Sequence, residues 1–97
     1  MAKHAKLIRA IRANAYDVRF THACKIAEWL GFNAKAKSGT SHHAYSKVGE
    51  PTLLNFQNHK GKIPFYQAKQ LIAMLDQYEG AAIKRDELEK HARREKR

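Results

Sequence analysis

The sequence predicts an α+β domain in which helices cover one face of a three-stranded antiparallel sheet. First, the chain has 97 residues, which suits a single domain with one modest core. Second, apolar residues recur with helical spacing in three segments of the chain. Third, the period changes to that of strands between the second and third of these segments. The order helix, helix, three strands, helix is typical of α+β proteins.

Two helices are predicted in the first third of the chain. In residues 3–13, one arc of the helix carries apolar side chains and the opposite arc carries Lys and Arg. The second helix is expected to begin at Thr21, a good N-cap residue, with Phe20 before it as a hydrophobic staple. It is expected to end at Leu30, because Gly31 readily takes the left-handed conformation that follows a helix.

Three short strands follow the second helix. They are predicted over residues 32–37, 42–48 and 52–57. Gly-containing segments at residues 38–40 and 48–51 are the predicted turns between them. Leu54 and Phe56 alternate with Asn55 and Gln57, which is the pattern of an antiparallel strand with one buried face.

A third helix is predicted to open at Pro64, where the missing N–H group costs nothing. Its expected apolar face comprises Phe65, Ala68, Leu71, Ile72, Leu75 and Tyr78. Gly80 ends this pattern, and residues 81–97 hold seven Lys or Arg and four acids. We therefore predict a single domain over residues 1–79, with an additional N-terminal helix, followed by a charged tail over residues 80–97 that is compatible with a helix.

The charge of the chain points to polyanions. Lys and Arg number 19 against 9 Asp and Glu, a formal net charge of +10, which favours nucleic acid as a partner. The longest apolar run, residues 71–75, is too short to span a membrane, and we see no secretory signal. Cys24 is the single cysteine, so an intrachain disulfide is impossible and a reducing cytoplasm is the expected location.

His42 is the candidate for chemistry because it stands in a basic field. Residues 35–69 hold six Lys and one acid, and the sequence offers no paired carboxylates, no phosphate-binding glycine loop and only a poor set of metal ligands. Positive surroundings lower the pKa of a His and keep its imidazole neutral, which suits proton abstraction from a ribose 2′-OH. The alternative is that His42 is an ordinary polar residue at the end of a strand.

Three blocks of the sequence follow one another with the order and spacing of a known family. They are Ser38-Gly-Thr-Ser-His-His-Ala-Tyr, Leu53-Leu-Asn-Phe-Gln-Asn-His-Lys-Gly-Lys and Pro64-Phe-Tyr-Gln-Ala-Lys-Gln-Leu. Together they resemble the HicA family of toxins, the mRNA interferases of bacterial type II toxin–antitoxin pairs. The family's Gly-Ser-His motif matches Thr40-Ser41-His42 with Thr in place of Gly, and Phe65 is inserted after the Pro of the last block. The resemblance covers roughly residues 20–79.

The resemblance implies a fold like that of the double-stranded-RNA-binding domain and a nuclease that acts on mRNA in the bacterial cytoplasm. His42 takes the position of the family's catalytic His, a general acid or base that acts without metal or any other cofactor. The residues that we expect to bind RNA are Lys35, Lys37, Ser41, Lys47, Lys60, Lys62 and Tyr66. A HicB-type antitoxin is the implied protein partner, and Tyr45, His59 and Tyr66 are the expected exposed contacts for it.

Two other functions fit the same residues. A non-catalytic RNA-binding module with this fold would use His42 only as a contact. A basic ribosome-associated protein would account for the charge without any cleavage.

Overall fold

The structure is a computed structural model that describes residues 4–35 and 42–95. Its elements, in chain order, are α1 (Ala5–Ala13), α2 (Phe20–Trp29), β1 (Asn33–Ala34), β2 (His42–Lys47), β3 (Glu50–Gln57) and α3 (Phe65–Glu95). The predicted α+β class is confirmed, because three helices pack against a three-stranded antiparallel sheet with the strand order β1–β2–β3.

The central strand β2 pairs with both of its neighbours. Its first residue, His42, lies opposite Gln57, and its last residue, Lys47, lies opposite Glu50, with a shift in register before Lys47. The connection between β2 and β3 is shorter than predicted, because Gly49 takes a positive φ of 84° and completes a two-residue turn. The strand β3 therefore begins at Glu50, two residues earlier than the alternation of apolar side chains indicated.

The core lies between one face of the sheet and the helices. Leu54 and Phe56 are fully buried while Asn55 between them is exposed, so the predicted alternation is confirmed. The largest fully buried side chains are Phe32, Phe56, Ile26, Leu54, Leu71, Leu75 and Val18. Each of the large aliphatic side chains contributes about 1.5–3 kcal/mol by leaving water. Phe65, which was expected on the apolar face of the third helix, is instead 38% exposed.

The two ends of α2 are stabilised by backbone groups. At the start, Thr21 is not the N-cap: Arg19 takes that position in an extended conformation and makes no side-chain capping bond. At the end, Gly31 has a φ of 103° and its N–H group donates to the oxygen of Glu28 at 3.0 Å. The N–H group of Phe32 donates to the oxygen of Ala27 at 3.0 Å, which completes a Schellman motif and confirms the predicted C-terminal glycine.

The helix α3 continues through Gly80, the residue at which the apolar pattern of the sequence ends, into the charged segment that follows. Ala82, just beyond Gly80, is buried. The indole Nε1 of Trp29 donates to Asp86 Oδ2 at 2.7 Å, and Arg12 of α1 pairs with Asp76 of α3 at 2.7 Å. The buried side chain of Ala82 and the hydrogen bond from Trp29, both beyond Gly80, offset the roughly 1 kcal/mol that a glycine costs within a helix.

The long helix is amphipathic only in part. Beyond Ala82 its surface is mostly charged, and Leu88 is 60% exposed. Among the described residues, no helix combines the length and the apolar character that crossing a membrane requires.

Candidate nucleic-acid interface

A tight turn that displays two lysines follows β3. In residues 59–62, here called the lysine turn, the backbone N–H of His59 donates to the oxygen of Lys62 at 2.8 Å and the N–H of Lys62 donates back at 3.1 Å. Lys60 and Gly61, the two central residues, have φ angles of 55° and 87°. Two positive φ angles between reciprocal hydrogen bonds define a type I′ turn. Gly suits this conformation, whereas a long side chain such as Lys costs about 1–2 kcal/mol there.

The lysine turn is held by hydrogen bonds on both sides. The side-chain oxygen of Asn58 accepts the N–H of Gly61 at 2.8 Å. The oxygen of Gly61 accepts the N–H of Phe20 at 2.9 Å, and the N–H of Ile63 donates to the oxygen of Val18 at 3.0 Å. The turn is therefore fixed against the segment that precedes α2, although its side chains face solvent.

The start of α3 is tied to the end of β3 through one buried side chain. Gln67 is 5% exposed, and its Oε1 accepts the backbone N–H of Gln57 at 2.8 Å. Pro64 precedes the helix, and its oxygen accepts the N–H of Gln67 at 3.1 Å. The side-chain oxygen of Gln67 is therefore used in a hydrogen bond within the fold.

These bonds bring the position of His42 and the basic residues to one end of the sheet. The backbone of His42 lies opposite Gln57, whose N–H donates to Gln67 in the first turn of α3. The lysine turn begins two residues after Gln57. Tyr66, in the first turn of α3, is 62% exposed. The side chain of His42 and all of Lys37 and Ser41 lie outside the described part of the structure.

Two of the predicted RNA-binding lysines lie elsewhere on the sheet. Lys47 is the last residue of β2, so five residues of extended chain separate it from His42, roughly 16 Å. Its Nζ lies 4.9 Å from the centre of the Tyr78 ring and contributes a cation–π contact there. Lys35 is exposed just after β1, and its N–H donates to the oxygen of Ala44 at 2.9 Å.

Tyr45 is not an exposed contact, contrary to the sequence-based expectation. It lies opposite Leu54 on the face of the sheet that the helices cover, and only 4% of it is exposed. Its hydroxyl donates to Glu28 Oε2 at 3.5 Å, and burial raises the pKa of Tyr45 well above its usual value. His43 faces the same side, where its ring meets Phe20 edge-on at 4.9 Å between centroids.

A groove that no sequence pattern indicated lies beside the lysine turn. The groove has a volume of about 480 Å³ and is lined by Tyr16, His59, Lys60, Lys62, Ile63, Pro64 and Phe65. The rings of Tyr16 and Phe65 stack with their centroids 4.1 Å apart and their planes 18° apart. Tyr16 lies in the linker between the first two predicted helices, just after the helical pattern of residues 3–13 ends. An aromatic residue in this linker was the one feature of the sequence that could have indicated the groove.

The electrostatics of the groove are dominated by its lysines. Asp17 Oδ1 lies 2.7 Å from Lys62 Nζ, and this ammonium group holds the pKa of Asp17 below its usual value. Both side chains are more than half exposed, so the pair contributes little to stability. Lys60 pairs with no carboxylate of residues 4–35 or 43–92, and the first turn of α3 carries no acid.

Known proteins add no further constraint on this surface. Comparisons with protein-family profiles, with curated proteins and with solved structures find no match to this chain. Within the described ranges, no three His, Cys, Asp or Glu side chains come together to hold a metal ion. The resemblance to HicA toxins thus rests on the three sequence blocks quoted above.

We predict that Gln67→Ala lowers the free energy of unfolding by about 1–3 kcal/mol, because it leaves the N–H of Gln57 without its acceptor. Gln70→Ala is the matched control, since Gln70 is exposed on the same helix. Guanidinium titrations of both variants measure the difference. Equal midpoints for the two variants would show that the bond between β3 and α3 carries no stability.

Proposed function

We propose that this protein is an RNA-cleaving toxin of the HicA type, an mRNA interferase of the bacterial cytoplasm. The proposal is supported by the three sequence blocks and above all by one structural observation. The strand position of His42, the lysine turn and the start of α3 lie at the same end of the sheet, joined by hydrogen bonds through Gln57 and Gln67. That end of the molecule is basic, and the lysine turn that belongs to it is exposed.

In the proposed reaction, the imidazole of His42 removes the proton of a ribose 2′-OH. The resulting 2′ oxygen attacks the adjacent phosphorus, the bond from phosphorus to the 5′ oxygen breaks, and that oxygen takes up a proton from solvent. The products are a 2′,3′-cyclic phosphate and a free 5′-OH, and no metal or other cofactor takes part. Nearby lysines stabilise the negative charge that grows on the phosphoryl oxygens.

RNA would be held mainly through its phosphates. In this proposal, Lys60 and Lys62 bind the strand beside the cleavage site, and Tyr66 borders the same end of the sheet. Lys37 and Ser41 precede His42 in the chain and would contact the same nucleotides. Lys35 and Lys47 would bind phosphates farther along the strand. Each phosphate contact adds to the dependence of affinity on salt.

A non-catalytic RNA-binding module is the second candidate, and the groove favours it. Exposed aromatic rings beside lysines are sufficient for binding single strands, and they require no chemistry at His42. Incubation of the purified protein with RNA in EDTA separates the two functions, because the toxin cleaves the strand and the binding module leaves it intact.

A protein that cleaves RNA inside a cell requires an inhibitor. We propose a HicB-type antitoxin, an acidic protein that covers the lysine turn and the surface around His42. Opposite charges would speed the encounter of the two proteins, and a buried aromatic contact would slow their separation. Tyr66 is the exposed aromatic side chain at this end of the sheet that we expect to serve as that contact, because Tyr45 is buried.

We predict that His42→Ala slows RNA cleavage by about 10²–10⁴-fold while the affinity for RNA stays the same, since only proton transfer is lost. His91→Ala is the matched control, because His91 is exposed far along α3. Rates are measured on one labelled RNA in EDTA. Undiminished cleavage by the His42 variant would contradict the mechanism.

We predict that Lys60→Asn stabilises the protein and weakens RNA binding. Asn takes the left-handed conformation of a type I′ turn more readily than Lys does, so the free energy of unfolding rises by about 0.5–1 kcal/mol. The loss of one phosphate contact lowers the slope of log affinity against log salt by about one.

Lys90→Gln serves as the control for Lys60→Asn, because it removes a charge from the exposed surface of α3. Thermal unfolding and titrations of RNA at several salt concentrations provide the two measurements. A gain in stability with unchanged affinity would place the RNA away from the lysine turn.

We predict that a small acidic protein is encoded beside this gene and that it forms a complex with this protein in which His42 is protected. Diethyl pyrocarbonate modifies exposed imidazoles, and mass spectrometry of the digested protein quantifies the modification at each His. His42 should react in the free protein and be protected in the complex, while His91 should react in both. Equal reactivity of His42 in the two states would rule out direct occlusion.

A further inference from the structure

We infer that Tyr16 and Phe65 form a subsite for one unpaired nucleobase of the bound RNA. This inference rests on the proposed function, because it takes RNA as the ligand of this end of the molecule. It adds a residue, Tyr16, that lies outside the three sequence blocks and outside the span of the family resemblance. It also specifies the form of the RNA, which must present a base that is neither paired nor stacked within a duplex.

The stacked pair has the geometry of an incomplete stack. The two rings are nearly parallel, with centroids 4.1 Å apart. Tyr16 remains 74% exposed despite this contact, so Phe65 covers a minor part of its surface. A nucleobase placed on the exposed surface of Tyr16 continues the stack, and such stacking of bases on aromatic side chains is a general mode of single-strand recognition.

Tyr16 is held in place by polar backbone contacts, without burial in the core. The side-chain oxygen of Asn14 accepts the N–H of Tyr16 at 3.1 Å, and the backbone oxygen of Asn14 accepts the N–H of Asp17 at 3.2 Å. Tyr16 is absent from the hydrophobic cluster that holds the fold together. The fold therefore does not require an aromatic ring at this position, whereas a base-binding surface does.

The charges beside the stacked pair match a nucleotide. Lys60 and Lys62 line the same groove, and His59 offers a further hydrogen-bonding group there. Lys62 is partly neutralised by Asp17, so Lys60 is the cation available to a phosphate. The volume of about 480 Å³ is within the range of small-ligand sites. An aromatic surface flanked by a lysine thus binds the base and the phosphate of a single nucleotide together.

The experiment compares two oligonucleotides that carry the same phosphates. One is a single-stranded 2′-O-methyl oligonucleotide, which 2′-OH attack cannot cleave, and the other is its abasic counterpart of equal length. Dissociation constants are measured by fluorescence anisotropy for the parent protein, Tyr16→Ala, Tyr16→Leu and Tyr16→Trp. Leu88→Ala is the control for loss of an exposed apolar side chain elsewhere.

We expect Tyr16→Ala to weaken binding of the strand with bases by about 5- to 100-fold, the range for loss of one base stack. Binding of the abasic strand should change by less than about twofold, because its phosphate contacts remain. Tyr16→Leu should behave like Tyr16→Ala, because it keeps apolar contact with Phe65 but has no ring. Tyr16→Trp should bind both strands as the parent does.

An equal effect on the two strands, or no effect on either, overturns the inference. Weaker binding to the antitoxin with unchanged RNA binding also overturns it and assigns the groove to a protein contact. The proposed function is tested separately by cleavage of unmodified RNA by the parent protein. If the parent cleaves RNA and Tyr16→Ala binds as the parent does, only the subsite is wrong. A parent protein that neither binds nor cleaves RNA refutes both.

Discussion

Two backbone hydrogen bonds between residues 18–20 and residues 61–63 position most of the candidate interface. They join Phe20 to Gly61 and Ile63 to Val18, segments that lie far apart in the chain. The first bond uses an N–H group at the start of α2, which has no side-chain cap of its own. Both bonds fix the lysine turn and bring the linker with Tyr16 against the start of α3. The start of one helix, an exposed turn and a groove therefore depend on one short backbone pairing.

Polar side chains are almost absent from the core of this small domain. Gln67 is the one buried polar residue among the described residues, and its amide is used to join β3 to α3. The remaining polar side chains are at least partly exposed, where opposite charges such as Arg12 and Asp76 pair with little energetic consequence. Stability therefore comes from the core, which leaves the surface lysines available for binding.

The features that were predicted best from the sequence are those that depend on residues close together in the chain. Gly31 has the positive φ that follows a helix, and Leu54 faces inward because strand periodicity is local. Tyr45 is 4% exposed and Tyr16 is 74% exposed, because only Tyr45 lies on the face of the sheet that the helices cover. The helix continues past Gly80 because Trp29, a distant residue of α2, contacts Asp86 beyond that glycine. The three sequence blocks indicated the basic end of the sheet. The groove could not be predicted in this way, because Tyr16 and residues 59–65 are far apart in the sequence and meet only in the folded chain.

The continuous helix α3 also sets a gradient of protection along its length. Its 31 residues extend about 46 Å, close to the longest dimension of the molecule, 45 Å. Around Leu71 and Leu75 the helix is packed into the core, so amide hydrogens there exchange with solvent only when the whole domain unfolds. The side chains of residues 87–92, beyond Asp86, are all exposed, and local fraying there is sufficient for exchange. One uninterrupted helix is thus expected to contain both slowly and rapidly exchanging amides.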